Sequence, residues 1–195
     1  MNNILKGVNL YLIGMMGAGK TSVGRQLAMK LGYGFVDTDE LIEKVAKQSI
    51  AQLFANAGEA GFRQLESQVL AEVSSYIKLA VATGGGIVLR RENWSYLHHG
   101  IVVWLDVPVE ELCIRLASDT TRPLLQDDPV GRLRLLLKQR QAMYAQADLQ
   151  VKSSNAETPE QVATRVLDLI PTVLRKPTRS VGDGVMRGWG NEEMG

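Results

Sequence analysis

Cysteine is all but missing: Cys113 is the single thiol in 195 residues. An internal disulfide is therefore impossible, and a structural zinc site would have too few sulfur ligands. An excess of either charge is missing too. The 22 Lys+Arg stand against 21 Asp+Glu, a formal net charge of +1. A protein that holds nucleic acid or an acidic membrane non-specifically carries a basic excess, so neither partner is expected. No apolar run approaches a bilayer span; the uncharged stretch 7–19 has thirteen residues and is interrupted by glycines. The opening Met1-Asn-Asn-Ile-Leu-Lys6 lacks the basic-then-apolar order of a signal peptide, so a cytoplasmic protein is expected. What remains is ordinary for a globular enzyme or binding domain, with 45% hydrophobic and 22% charged residues. The length suits one domain with a sizeable core, and we expect a monomer.

Short apolar runs alternate with amphipathic helical patterns. Residues 8–13, 34–36, 79–82, 101–105 and 149–151 read as strands. The first is apolar almost throughout, as in a strand covered on both faces. Helical stripes fill 20–31, the stretch after Asp39, 50–57, 59–76, a segment that Pro108 opens, 131–147 and 159–174. This alternation predicts an α/β fold, a parallel sheet with helices on both faces. Residues 119–129 are polar and hold two prolines, which reads as a mobile lid loop. Residues 177–195 contain five glycines and no apolar stripe, so the domain is placed at 1–176 with a disordered tail after it.

Gly14-Met-Met-Gly-Ala-Gly19-Lys20-Thr21 fits G-x-x-x-x-G-K-[ST] between an apolar strand and an amphipathic helix, where that motif cradles phosphates. The stretch through Gly17, Ala18, Gly19, Lys20, Thr21 and Ser22 is expected to wrap the phosphates of ATP with backbone N–H groups and a helix N-terminus. Lys20 is placed to reach the β- and γ-phosphates, and the Thr21 hydroxyl to ligate Mg²⁺. The competing reading, a glycine-rich turn with an accidental lysine, does not explain the strand–loop–helix setting. A chain this short, with no arm for driving a large partner, suits a small-metabolite kinase.

Asp37 and Asp39 follow the second strand, at the carboxyl edge where open α/β sheets bind ligands. One could hold Mg²⁺ while the other meets a substrate hydroxyl; alternatively Asp39 only caps a helix beginning at Glu40. Arg63 lies one residue off its apolar stripe and is equally readable as a surface arginine. Arg140 lies on the stripe of Leu133, Leu137 and Tyr144, so its guanidinium points inward. It serves an anionic ligand, an internal ion pair, or a snorkelling surface group. Gly84, Gly85 and Gly86, after Thr83 at a strand end, either admit a ligand to the backbone or form a tight turn. Arg122 in the lid loop is placed to neutralise charge on the transferred phosphoryl group. Arg115 reads as exposed and able to stack on adenine. Cys113, Trp94, Trp104 and the pair His98-His99 read as structural.

In order and spacing these residues resemble shikimate kinase. The matching elements are Gly14 to Thr21, Asp37-Thr-Asp39, Phe62-Arg63, Thr83-Gly-Gly-Gly86, Arg122-Pro-Leu-Leu125, and Arg140 with Tyr144, across roughly residues 5 to 172. The resemblance implies a three-layer P-loop sandwich of the nucleoside-monophosphate-kinase type with a five-stranded parallel sheet. It implies transfer of the ATP γ-phosphoryl group to the 3-hydroxyl of shikimate, on the route to chorismate and the aromatic amino acids. It makes Asp39 the proton acceptor, assigns the acceptor's carboxylate to Arg63 and Arg140, and gives Gly84, Gly85 and Gly86 to the acceptor, Gly85 through its N–H. Asp37 then supports Mg²⁺ beside Thr21, Arg122 closes over the phosphates, and an adenine loop near 154–157 brings Glu157 to the nucleotide. Two readings stand beside it: a related kinase for gluconate or a nucleoside monophosphate, and a nucleotide-binding regulator without catalysis. Lys20, Thr21, Asp37, Asp39 and Arg122 together speak against the regulator.

Overall fold

Five short strands form one parallel sheet: β1 (Leu10–Ile13), β2 (Gly34–Asp37), β3 (Leu79–Ala82), β4 (Ile101–Asp106) and β5 (Leu149–Lys152), in the order β2-β3-β1-β4-β5. Leu10 of β1 lies opposite Ala80 on one side and Ile101 on the other. All of β1 and all of β4 except Asp106 is buried, so both faces are covered, as the continuous apolarity predicts. The covering helices are α1 (Lys20–Leu31), α2 (Thr38–Ala46), α3 (Ile50–Ser74), α4 (Arg91–Leu97), α5 (Val109–Leu116), α6 (Pro129–Tyr144) and α7 (Pro159–Leu174). This is a computed structural model, and it describes residues 5–117 and 128–174. Arg122, nearly all of the expected lid loop and the expected tail lie outside the described residues. Among those described, no helix is long and apolar enough to cross a membrane.

Because all five strands run the same way, the segments that follow them gather at one edge. The chain leaves β1 for β2 on one flank and later places β4 on the other. The reversal puts a crevice at the carboxyl end of β1, the usual ligand position in such sheets.

The structure corrects the start of α2. That helix begins at Thr38, and its cap is Asp37 rather than Asp39: the Asp37 carboxylate accepts from the N–H groups of Asp39 (3.0 Å) and Glu40 (3.4 Å). Asp37 still has extended backbone at the end of β2, so its side chain can fold forward over the first turn. Asp39 therefore sits inside that turn. Pro108 likewise precedes α5 as its extended N-cap and does not open the helix. The helix expected at 131–147 begins earlier, at Pro129, whose missing N–H costs nothing in a first turn, and Asp128 caps it.

The two helices expected over 50–57 and 59–76 run end to end as α3, which ends at Ser74, with a break at Gly58 (φ 67°, ψ −179°). Phe54 and Phe62 stack across the break, centroids 4.6 Å apart. A side chain on Gly58 would meet nothing within 4 Å, but this backbone region is open to glycine almost alone. Gly58→Ala is expected to cost about 1–3 kcal/mol through strain alone. That lowers Tm by at least about 2 °C in a domain of this size. An unchanged thermal melt would show that α3 straightens at no cost.

Candidate active site

Between β1 and α1 the chain turns on Gly14, Gly17 and Gly19, all with positive φ. Gly19 is the N-cap of α1 and offers no side chain to its first turn, so those N–H groups are left for an anion. Lys20 is buried, only 8% exposed. Its ammonium donates to the carbonyls of Gly14 (3.0 Å) and Met15 (2.8 Å), which holds a cation across the mouth of the loop. Ala18 points into the core and contributes only backbone, while Ser22 is exposed.

The Thr21 hydroxyl donates to Asp37 Oδ2 at 2.7 Å, and the other oxygen of that carboxylate caps α2. Two hard oxygens are thus fixed side by side next to the phosphate loop. Mg²⁺ fits this donor set, since it takes one or two protein oxygens and completes its shell with water and phosphate.

The second cluster surrounds the turn after β3. The Thr83 hydroxyl ties that turn to Leu12 of β1, and Thr38 accepts from the N–H of Gly84 at 3.1 Å. A Cβ on Gly84 would lie 2.7 Å from Asp39 Oδ1 and 2.8 Å from Glu66 Oε1, so only glycine lets both carboxylates approach. Arg63 of α3 lies over Gly86. It is 15% exposed, not a surface arginine, and its guanidinium donates to Glu66 Oε2 at 2.8 Å and pairs with Glu59 at 3.4 Å. Arg140 of α6 donates to the Gly85 carbonyl at 3.2 Å and forms no ion pair with a carboxylate among the described residues, which disfavours the internal-pair reading. The Nε atoms of both arginines are buried without a hydrogen-bond partner.

Sequence reasoning missed Glu66, which is fully buried beneath Arg63. Burial pushes its carboxyl above the usual carboxylate range and Asp39 adds to this, against the pull of Arg63 and Arg140. The signal was available: Glu66 stands three residues after Arg63, a helical neighbour, and flanks Leu65 on the inward side.

A cavity of about 500 Å³ joins the two clusters and continues beyond them. Lys20, Thr21, Asp37, Asp39 and Gly85 line it, and so do Arg115, Asn155 and Pro159. Arg115 is half-buried, not exposed. Its Nε donates to Asn155 Oδ1 at 2.6 Å and its terminal nitrogen to the Gly17 carbonyl at 3.2 Å. Asn155 lies within the adenine loop expected near 154–157, where only Glu157 was singled out. Glu157 also lines the cavity, with its carboxylate engaged by Arg165 at 2.7 Å and by the N–H of Ser154.

The shikimate kinase family model matches residues 16–171. The shikimate kinase of Trichormus variabilis is 66% identical over 179 residues, spanning 91% of this chain and 99% of its own. That of Synechococcus elongatus is 55% identical over 177 residues, spanning 90% and 93%. The solved shikimate kinase of Acinetobacter baumannii, in complex with shikimate, superposes with a TM-score of 0.83 at 41% identity, covering 89% of this chain and 98% of that one. The enzyme of Bacteroides thetaiotaomicron gives 0.78 at 33% identity, covering 84% and 98%. Likeness at this identity, across nearly the whole length of these relatives, places the chain in the shikimate kinase family.

Proposed function

We propose that this protein transfers the γ-phosphoryl group of ATP to the 3-hydroxyl of shikimate. The observation that carries the reading is the pair of inward guanidiniums, Arg63 and Arg140, set around the Gly84–Gly86 turn beside Asp39 and a short way from the phosphate loop. Among the described residues only Arg63 has a buried carboxylate as partner. The Arg140 guanidinium, bonded to the neutral Gly85 carbonyl, suits an acceptor that brings its own carboxylate, and a planar donor fork matches that group.

The roles follow from position. Lys20 and the N–H groups at the start of α1 hold the phosphates. Thr21 and Asp37 would hold Mg²⁺, which would offset the charge of the phosphates. The Gly85 N–H and the two arginines seat the acceptor so that its hydroxyl faces Asp39. The hydroxyl oxygen then bonds to the γ-phosphorus as the bond to the β,γ-bridging oxygen breaks. Asp39 takes the proton, and ADP leaves. A loose transition state asks for alignment and charge neutralisation more than covalent help. Arg115, which lines the cavity with Pro159, supplies a cationic face for the adenine. Glu157 acts through the shape of its loop. Arg122, which lies outside the described residues, is assigned to the charge on the transferred phosphoryl group.

Asp39→Asn preserves shape and removes the base. The expected result is a fall in kcat of about 10²-fold or more, with ATP binding by titration calorimetry nearly unchanged. Equal losses of nucleotide affinity and turnover would assign Asp39 to the metal instead.

A further inference from the structure

Tyr144, one helical turn after Arg140, has no role in the chemistry above, yet it stands where the donor and acceptor halves of the site touch. It is wholly buried at the end of α6. Its hydroxyl donates to the Gly85 carbonyl at 2.6 Å, the same oxygen that accepts from Arg140, and lies 3.7 Å from Met15 Sδ in the phosphate loop. Its ring stacks on Trp104 of β4, centroids 5.7 Å apart and planes inclined by 27°. The Met15 carbonyl is one of the two that hold Lys20. Gly85 itself packs on the loop, since a Cβ there would be 3.4 Å from the Gly14 carbonyl oxygen and from the Met16 nitrogen.

A phenylalanine would fill the same space without the cost of burying a hydroxyl. The hydroxyl therefore serves the carbonyl it binds. A trans peptide points its N–H opposite to its C=O, so fixing the Gly85 carbonyl also fixes the direction of the Gly86 N–H. Burial raises the Tyr144 pKa above the usual tyrosine value, which keeps the phenol a donor throughout the neutral range.

We propose that Tyr144 is a positioning residue for phosphoryl transfer, one that clamps the acceptor turn against the phosphate loop and so sets the gap the phosphoryl group crosses. The proposal rests on the acceptor seat assigned above. It concerns alignment rather than affinity, and misalignment in such reactions is paid for in kcat.

The test is Tyr144→Phe. It keeps the ring on Trp104 and leaves Arg140 bonded to the carbonyl, so the domain stays folded. With shikimate as acceptor, kcat is expected to fall about tenfold, or about 1.4 kcal/mol, while KM for ATP stays put. A residue that only stabilises the fold would lower Tm and leave kcat intact at a temperature where both proteins are folded, and that result overturns the proposal. So does a rise in KM for ATP with kcat unchanged. Failure of the acceptor assignment would look different, because the parent enzyme would then not phosphorylate shikimate at all.

Discussion

Lys20→Ala is expected to lower kcat by about a thousandfold, the upper end of what losing one preorganised donor costs. The ammonium belongs to the one basic residue of the loop 14–21. The carbonyls of Gly14 and Met15 hold it in place before any nucleotide arrives, so it needs no reorganisation as charge builds on the β- and γ-phosphates. The fold should survive. The Gly14 and Met15 carbonyls that Lys20 binds lie in a loop, and removing a buried ammonium also removes its desolvation cost. Circular dichroism should therefore superpose on that of the parent while coupled ADP release falls to near background. A purified variant that kept half of the parent kcat would contradict the assignment of the loop.

The second large effect belongs to Arg140 and depends on which acceptor is offered. A charge-assisted hydrogen bond contributes about 1.5–3 kcal/mol, and stranding one partner of a buried pair costs about 3–5 kcal/mol. At about 1.4 kcal/mol per tenfold, Arg140→Ala should reduce kcat/KM for shikimate by about two orders of magnitude or more. Arg140→Lys should recover only part of the loss, because an ammonium cannot present two parallel N–H groups. The carboxamide analogue of shikimate is the control. The parent should use it poorly, and truncating Arg140 should add little further loss. The Gly85 carbonyl keeps its bond from Tyr144 in the variant, so collapse of the turn is not expected. Equal losses on both acceptors would make Arg140 a structural group and remove the carboxylate from the account.

How far these residues could be read in advance depended on how local their signal is. The phosphate loop is eight consecutive residues in a strand–loop–helix setting, so its place in the sheet was plain from the sequence. Arg140 could be placed because Leu133, Leu137 and Tyr144 define an inward stripe that includes it. Arg63 and Arg115 were harder, since both lie off their own stripes. They are covered by segments distant in the chain, Arg63 by the Gly84–Gly86 turn and Arg115 by Asn155 and Gly17. No helical period reports such contacts. The exchange of cap between Asp37 and Asp39 has a different cause. Either carboxylate can reach the first free N–H groups of a helix, and the choice depends on how far β2 stays extended. Glu66 carries no such local signature beyond its spacing from Arg63, and it is the fold that puts it under Arg63.

The central claim is that the carboxylate seat made by Arg63 and Arg140 selects the acceptor. It is tested most directly by coupled ADP release from the purified protein with Mg²⁺ and ATP, comparing shikimate, gluconate, a nucleoside monophosphate and no acceptor. The account predicts rapid release with shikimate alone, and a product carrying one phosphate on the 3-hydroxyl by phosphorus NMR. Faster turnover with gluconate or the monophosphate, or release that ignores the acceptor altogether, would contradict it.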